Sequence, residues 1–252
     1  MSQKAKNVSI IIPAFNEELF LGSVIEKVCN LSFVQQVIVV DDFSTDSTYQ
    51  VAASYKPTYS ILEVYKHEEN RGKTEAIKTA LKYVNGEITI IQDADLEYDP
   101  EEIQYICNPI WEDKADVVYG SRFLVRKASR VLYFYHYLAN KSLTFICNLF
   151  TNKNMTDIET CYKAFRSPLI KNMPINSSGF GFEVEVTANI SKTRARIYET
   201  PISYYGRTYE EGKKISTRDG MAALIYIFKF NIITRKKVKN YIEISNNFLR
   251  GN

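Results

Sequence analysis

The first half of the chain alternates short apolar runs with stretches whose apolar residues recur at helical spacing. Residues 8–12 form a β-branched run that predicts a buried strand, ended by Pro13. Asn16 stands where a helix cap belongs, and Glu17 and Glu18 in the first turn suit the helix dipole, so a helix to about Asn30 is expected. A second strand over 36–40 runs into Asp41-Asp42, and the capping-rich turn 43–48 leads into a helix to about Tyr55. A third strand is expected over 60–65, a turn at 70–73, a helix over 74–84 and a buried strand over 88–91. Asp99-Pro100-Glu101-Glu102 opens the next helix, with Asp as cap and Pro in the first position. A strand over 116–119 follows. Regular strand–helix alternation predicts an α/β fold with a mostly parallel central sheet flanked by helices.

The second half reads differently. Residues 131–150 are apolar on most sides and heavily aromatic, but His136, Asn140 and Lys141 near the middle make a bilayer-spanning helix costly. An amphipathic helix fits, packed on the domain or lying in a membrane interface. Residues 221–234 predict a second apolar helix, followed by the basic cluster 235–239, which suits anionic headgroups. Between them, glycines near 179–181 precede a helix starting near Glu183, and a late strand over 196–200 stops at Pro201. Residues 204–215 read as a loop carrying several cations. The organisation expected is one large domain over 1–220, containing the 131–150 helix, and a C-terminal apolar helix with a basic tail over 221–252.

Composition narrows this picture. A net charge of +3 gives no bulk attraction for nucleic acid. The four cysteines, Cys29, Cys107, Cys147 and Cys161, form no close pair and read as buried thiols. Residues 1–7 lack an apolar signal core, so a cytoplasmic protein is expected.

Chemistry concentrates at strand ends. Asp93 and Asp95 follow the 88–91 strand, and Asp41-Asp42 closes an earlier one. In a parallel sheet both clusters lie on the carboxyl edge, where α/β sheets bind ligands. Two neighbouring carboxylates suit a divalent cation that also takes diphosphate oxygens. Gly72-Lys73-Thr74 looks like the end of a phosphate loop, but the required first glycine falls at His67, which excludes that loop.

Taken together, residues 11–17 (Ile-Ile-Pro-Ala-Phe-Asn-Glu), 39–48, Asn70-Arg71-Gly72-Lys73, Asp93-Ala94-Asp95 and Gly120-Ser121-Arg122 resemble family 2 glycosyltransferases of the GT-A (nucleotide-diphospho-sugar transferase) fold. Thr156-Asp157, Cys161-Tyr162-Lys163-Ala164-Phe165-Arg166, Phe182-Glu183 and Arg207 with Gly212-Lys213-Lys214-Ile215 narrow the resemblance to the polyprenyl-phosphate hexosyltransferase branch, which includes dolichyl-phosphate mannose synthase. It covers roughly residues 8–220. It implies that Pro13, Phe15, Glu17, Val40 and Asp42 hold the nucleoside, that Asp93 and Ala94 contact the nucleotide, and that Asp95, with Asp93, binds Mg²⁺ or Mn²⁺. Arg122 and Arg207, with Lys213 or Lys214, would neutralise donor and acceptor phosphates, and Arg130 is a further candidate for the acceptor phosphate. Asp95, Arg122 and Arg207 are the implied catalytic residues. The late loop spaces Arg207 and Gly212 more widely than the family's Arg-x-x-Gly-x-Ser-Lys, so both lysines stay in play.

The implied reaction is inverting transfer of a hexose from a nucleotide sugar, GDP-mannose or UDP-glucose, to a polyprenyl or dolichyl phosphate by an enzyme resting on the cytoplasmic face of a membrane. Two other readings stay open: a soluble transferase using a saccharide or protein hydroxyl, for which Asp157 or Glu183 could act as base, and a non-catalytic nucleotide-sugar-binding scaffold.

Overall fold

The computed structural model describes residues 6–124, 130–131, 133–208, 210–211, 217–234 and 237–251, without the side chains of 180 and 217–219. Seven strands make one sheet: β1 (Val8–Ala14), β2 (Val34–Asp41), β3 (Leu62–Lys66), β4 (Ile88–Ile91), β5 (Val117–Ser121), β6 (Lys163–Arg166) and β7 (Ile197–Pro201). Their spatial order is β3-β2-β1-β4-β6-β5-β7. Strands β3, β2, β1 and β4 run parallel, and β5 and β7 are parallel to each other. Between them β6 runs antiparallel to both β4 and β5. One residue row crosses the whole sheet: Leu62, Val37, Ile10, Ile90, Ala164, Val118 and Tyr198. Every residue of β1 is buried, odd and even positions alike, so both faces of the sheet are covered.

The helices are α1 (Leu21–Cys29), α2 (Thr48–Ser54), α3 (Lys73–Leu81), α4 (Ile103–Trp111), α5 (Phe134–Thr151), α6 (Ser167–Lys171), α7 (Phe182–Ile190), α8 (Thr217–Phe228) and α9 (Lys239–Arg250). Helix α3 packs on β1 and β2, and α4 packs on β5, β6 and β7. Helix α7 is buried along its whole length and carries α8 and α5.

Three local expectations are corrected. The first strand does not stop at Pro13 but continues to Ala14. Its pairing with β4 ends at Ile11, so the N–H that Pro13 lacks is not needed on that side. Asn16 does not cap a helix; it sits at φ 53°, and α1 begins only at Leu21. Its side chain instead accepts the amide of Thr45 at 2.9 Å, while its own amide bonds Ser44 Oγ at 2.9 Å, zipping the 15–18 turn to the 43–48 turn. The basic tail expected after 234 contains a further, unexpected helix: 239–250 fold as α9, with Tyr241 and Ser245 buried. Strand β6 has no counterpart among the elements expected from the sequence.

No helix among the described residues is long and apolar enough to cross a membrane. Helix α5 nonetheless keeps Phe134, Tyr135, Phe145 and Leu149 64–81% exposed. Met221, Ile225, Ile232 and Ile233, on α8 and the π-helical turn Lys229–Ile233, are 58–73% exposed, and a Phe150–Phe228 ring contact at 5.1 Å joins the two apolar surfaces.

Candidate active site

The carboxyl ends of β2, β1 and β4 meet at one edge of the sheet, because β1 lies between the other two. Asp42, just past β2, is buried and accepts three bonds: from His67 Nδ1 at 2.7 Å, from the Arg71 amide at 2.9 Å and from the Gly72 amide at 2.6 Å. The carboxylate thereby shapes the 70–72 turn that starts α3. Gly72 adopts φ 84°, which a side chain would resist. His67 Nε2 is held in turn by Thr79 Oγ1 at 2.9 Å.

That turn delivers Lys73 to the edge. Its ammonium lies 2.8 Å from Asp93 Oδ1, 3.3 Å from Glu183 Oε1 and 3.3 Å from Cys161 Sγ. Cys161 Sγ also bonds Asp93 Oδ1 at 3.0 Å. Burial opposes the charge on Asp93, but the Lys73 ammonium and these hydrogen bonds outweigh it and hold the carboxyl below the usual aspartate range. Lys73 stays charged for the matching reason: burial works against it, and Asp93 and Glu183 more than restore it.

Two residues on, Asp95 has different company. Leu96 takes a left-handed φ of 59° and turns the chain so that the Glu97 amide bonds Asp95 Oδ1 at 3.1 Å. Asp95 Oδ2 accepts Arg207 NH2 at 2.7 Å. The same guanidinium reaches Glu17 at 3.4 and 3.5 Å and Glu97 Oε1 at 3.4 Å. Burial first, then the charges of Asp93 and Glu97, push Asp95 up to about 7 despite Arg207. Glu97 also ties down the loop that carries Arg207: its Oε1 accepts the Arg207 amide at 2.9 Å, its Oε2 the Tyr204 hydroxyl at 2.8 Å, and its carbonyl the Tyr205 amide at 2.9 Å.

Arg122, just past β5, forms a two-pronged pair with the fully buried Asp157, at 2.7 Å from Nε and 2.8 Å from NH2. Its guanidinium lies over the Tyr204 ring at 5.1 Å, which connects it through Tyr204 to Glu97. Arg130 is exposed; it pairs with Glu211 at 2.6 Å and reaches the Gly206 carbonyl at 3.4 Å, against the same loop. Lys213 and Lys214 lie outside the described residues. Pro13, Val40 and Ala94 are buried, so any contact they make with a nucleoside runs through backbone or a small surface, whereas Phe15 is partly exposed at the edge. Glu17 is buried beside Arg207, its amide fixed by Thr48 Oγ1 at 2.8 Å. The fold therefore gathers Glu17, Asp93, Asp95 and Arg207 at one edge, with Arg122 one ring away.

The sequence profile of glycosyl transferase family 2 matches residues 9–173, which contain this edge. This chain belongs to glycosyl transferase family 2. It is 25% identical over 210 residues to a dolichol-phosphate mannosyltransferase of Pyrococcus furiosus, covering 82% of this chain and 58% of that one. It is 27% identical over 214 residues to a UDP-N-acetylglucosamine–dolichyl-phosphate N-acetylglucosaminyltransferase of Methanococcus voltae, covering 78% and 85%. This chain thus spans less than two thirds of the Pyrococcus relative's length. In structure it resembles glucosyl-3-phosphoglycerate synthase of Mycobacterium tuberculosis, crystallised with Mn²⁺, uridine diphosphate and glucosyl-3-phosphoglycerate, with a TM-score of 0.70 at 19% identity over 89% of this chain and 80% of that one. That likeness establishes the GT-A fold.

In this family 2 chain three residues that shape the site escape a reading by motif. Lys73 belongs to the Asn-Arg-Gly-Lys run, but its own chemical reading falls with the excluded phosphate loop. His67 enters only as the residue that breaks that loop. Glu97 carries no signal except its spacing of two from Asp95.

Proposed function

We propose that this chain is an inverting glycosyltransferase that moves a hexose from a nucleotide sugar to a polyprenyl or dolichyl phosphate at a membrane surface. Its relatives from Pyrococcus and Methanococcus are named for transfer to dolichyl phosphate, which supports the acceptor class. The observation that carries the choice of a phosphate over a hydroxyl acceptor is the state of the two carboxylates available as a base. Asp157 is buried and locked in a two-pronged pair with Arg122, and Glu183 is buried against Lys73. A hydroxyl acceptor needs such a base; an ionised lipid phosphate needs only cations to place it.

A divalent cation fits the site. The donors on offer are carboxylate oxygens, which suit Mg²⁺ or Mn²⁺. Beyond burial, the charges of Asp93 and Glu97 push Asp95 up, and a dication would offset that repulsion. Among the described residues no three acidic, histidine or cysteine side chains group closely enough to hold an ion alone, so phosphate oxygens of the donor would have to complete the shell. Asp95 would hold the ion, with Glu17 and Glu97 in reach of the same space and Asp93 kept ionised by Lys73 behind it. Bound there, the ion would stabilise charge on the leaving nucleoside diphosphate. Arg207 would add a second cation to that leaving group, and Arg122, whose outer edge is not taken by Asp157, would orient the acceptor phosphate with Arg130 nearer the rim. Lys213 or Lys214 would add charge from the same loop. Phe15, Pro13, Glu17, Val40 and Asp42 line or shape the nucleoside side.

Helix α5 and α8 would rest in the interface of the cytoplasmic leaflet, with residues 1–220 as the catalytic unit and 221–252 as part of the membrane-facing surface. Calorimetric titration with GDP and with UDP, each with Mn²⁺ or EDTA, tests the site: metal-dependent binding of one nucleotide is expected, and Asp95→Asn should weaken it at least tenfold. A folded protein that binds neither nucleotide would refute the assignment.

A further inference from the structure

Arg207 occupies an unusual place for a residue meant to meet phosphate. Its guanidinium is inserted among three carboxylates from two separate segments: Glu17 on the turn after β1, and Asp95 and Glu97 after β4. Its shortest contact, 2.7 Å, is to Asp95 Oδ2, the oxygen left over after the Glu97 amide has taken Oδ1. The Phe20 ring lies 5.5 Å from the guanidinium and helps to keep it there. The Arg207 backbone, in contrast, is anchored independently of its side chain, through the bonds of Glu97 to the Arg207 amide, the Tyr205 amide and the Tyr204 hydroxyl. The side chain can therefore leave while the loop stays.

We propose that Arg207 is a resident counter-cation that competes with the divalent ion for Asp95 Oδ2 in a mutually exclusive way, so that metal loading expels the guanidinium and releases it toward the substrate phosphates. This rests on the metal-dependent reading above. The physical basis is a competition of like charges for the same oxygens. A guanidinium at 2.7 Å from Asp95 fills the approach a dication needs, and two cations at contact distance repel each other in a partly buried site. By linkage, what the guanidinium loses when the metal enters, the metal loses when the guanidinium returns. The arrangement balances the carboxylates in the metal-free protein and makes the phosphate-directed arginine available only once the metal is in place.

The test is Mn²⁺ affinity without nucleotide, read by water-proton relaxation, for the wild type, Arg207→Lys and Arg207→Ala. Mutual exclusion predicts at least tenfold tighter Mn²⁺ binding in Arg207→Ala, with Arg207→Lys in between because a single ammonium cannot fork across three carboxylates. A second reading uses arginine-labelled protein and Mg²⁺. The Arg207 Nε–H resonance should move to a solvent-exposed position on metal binding, while the Tyr205 and Arg207 amides keep their protection. Equal or weaker Mn²⁺ binding in Arg207→Ala, or an unmoved Nε–H resonance with Mg²⁺ bound, would overturn the exchange and leave the metal site standing. Absence of Mn²⁺ binding in all three proteins, with or without GDP or UDP, would remove the metal-dependent reading as well.

Discussion

Behind the site, Glu159, Glu183 and Lys163 share one buried region, and they do not balance. Lys163 is fully buried and bonds the Thr160 carbonyl; burial lowers its tendency to hold a proton. Burial, followed by the charge of Glu183, pushes Glu159 up to about 7. The sign of the consequence is fixed. The folded chain holds a proton on Glu159 that the unfolded chain releases above its ordinary value of 4.5. The stability this gives is fully present below that value and is lost as pH rises through about 7. Glu159→Gln, neutral throughout, should therefore gain on the wild type between pH 5 and 8. The gain should reach at least about 1 kcal/mol, since each tenfold difference in proton affinity between the folded and unfolded chain is worth roughly 1.4 kcal/mol. Denaturant titrations of the two proteins at several pH values check this, and a difference that does not change with pH would contradict it. Lys73 is the other residue-scale case. Lys73→Met would remove the ammonium that bridges Asp93 and Glu183, so a stability loss of about 3 kcal/mol or more is expected from urea unfolding.

At the scale of elements, the apolar runs of β1, β2 and β4 were readable because strands buried on both faces are nearly continuous hydrophobic segments. The edge carrying Asp42, Asp93 and Asp95 followed from their parallel order. Strand β6 was not readable, since two of its four residues, Lys163 and Arg166, are charged. The sequence does not show that Lys163 is buried against Thr160, or that Arg166 pairs with Asp113 and Asp116 at 2.5 and 3.0 Å. Asn16 misled for a related reason: its capping chemistry was spent on the neighbouring 43–48 turn, a partner remote in sequence. The site residues on strand ends were legible, but the pairing of Arg207 with Glu17, 190 positions away, depends on the tertiary fold alone. Helix α5 makes a prediction of its own. Phe145→Ser with Leu149→Ser removes exposed rings and chains, so thermal stability should stay nearly unchanged. Sedimentation with vesicles containing anionic lipid should fall at least tenfold, and undiminished sedimentation would take the interface away from α5.

For the whole molecule, the sheet gathers one set of charges at its carboxyl edge, and α5 with the turn after α8 leaves an apolar surface exposed at Phe145, Leu149 and Ile233. The proposed transfer of a hexose from a nucleotide sugar to a lipid phosphate, with release of the nucleoside diphosphate, calls for both features. The most direct measurement offers radiolabelled GDP-mannose and UDP-glucose to the protein with Mn²⁺, with a short-chain polyprenyl phosphate in one arm and free saccharides in the other. The account predicts label that partitions into organic solvent and is released by mild acid, from one donor only, and lost in Asp95→Asn. Label transferred to saccharide alone, or none to either acceptor while the nucleotide binds tightly, would contradict it.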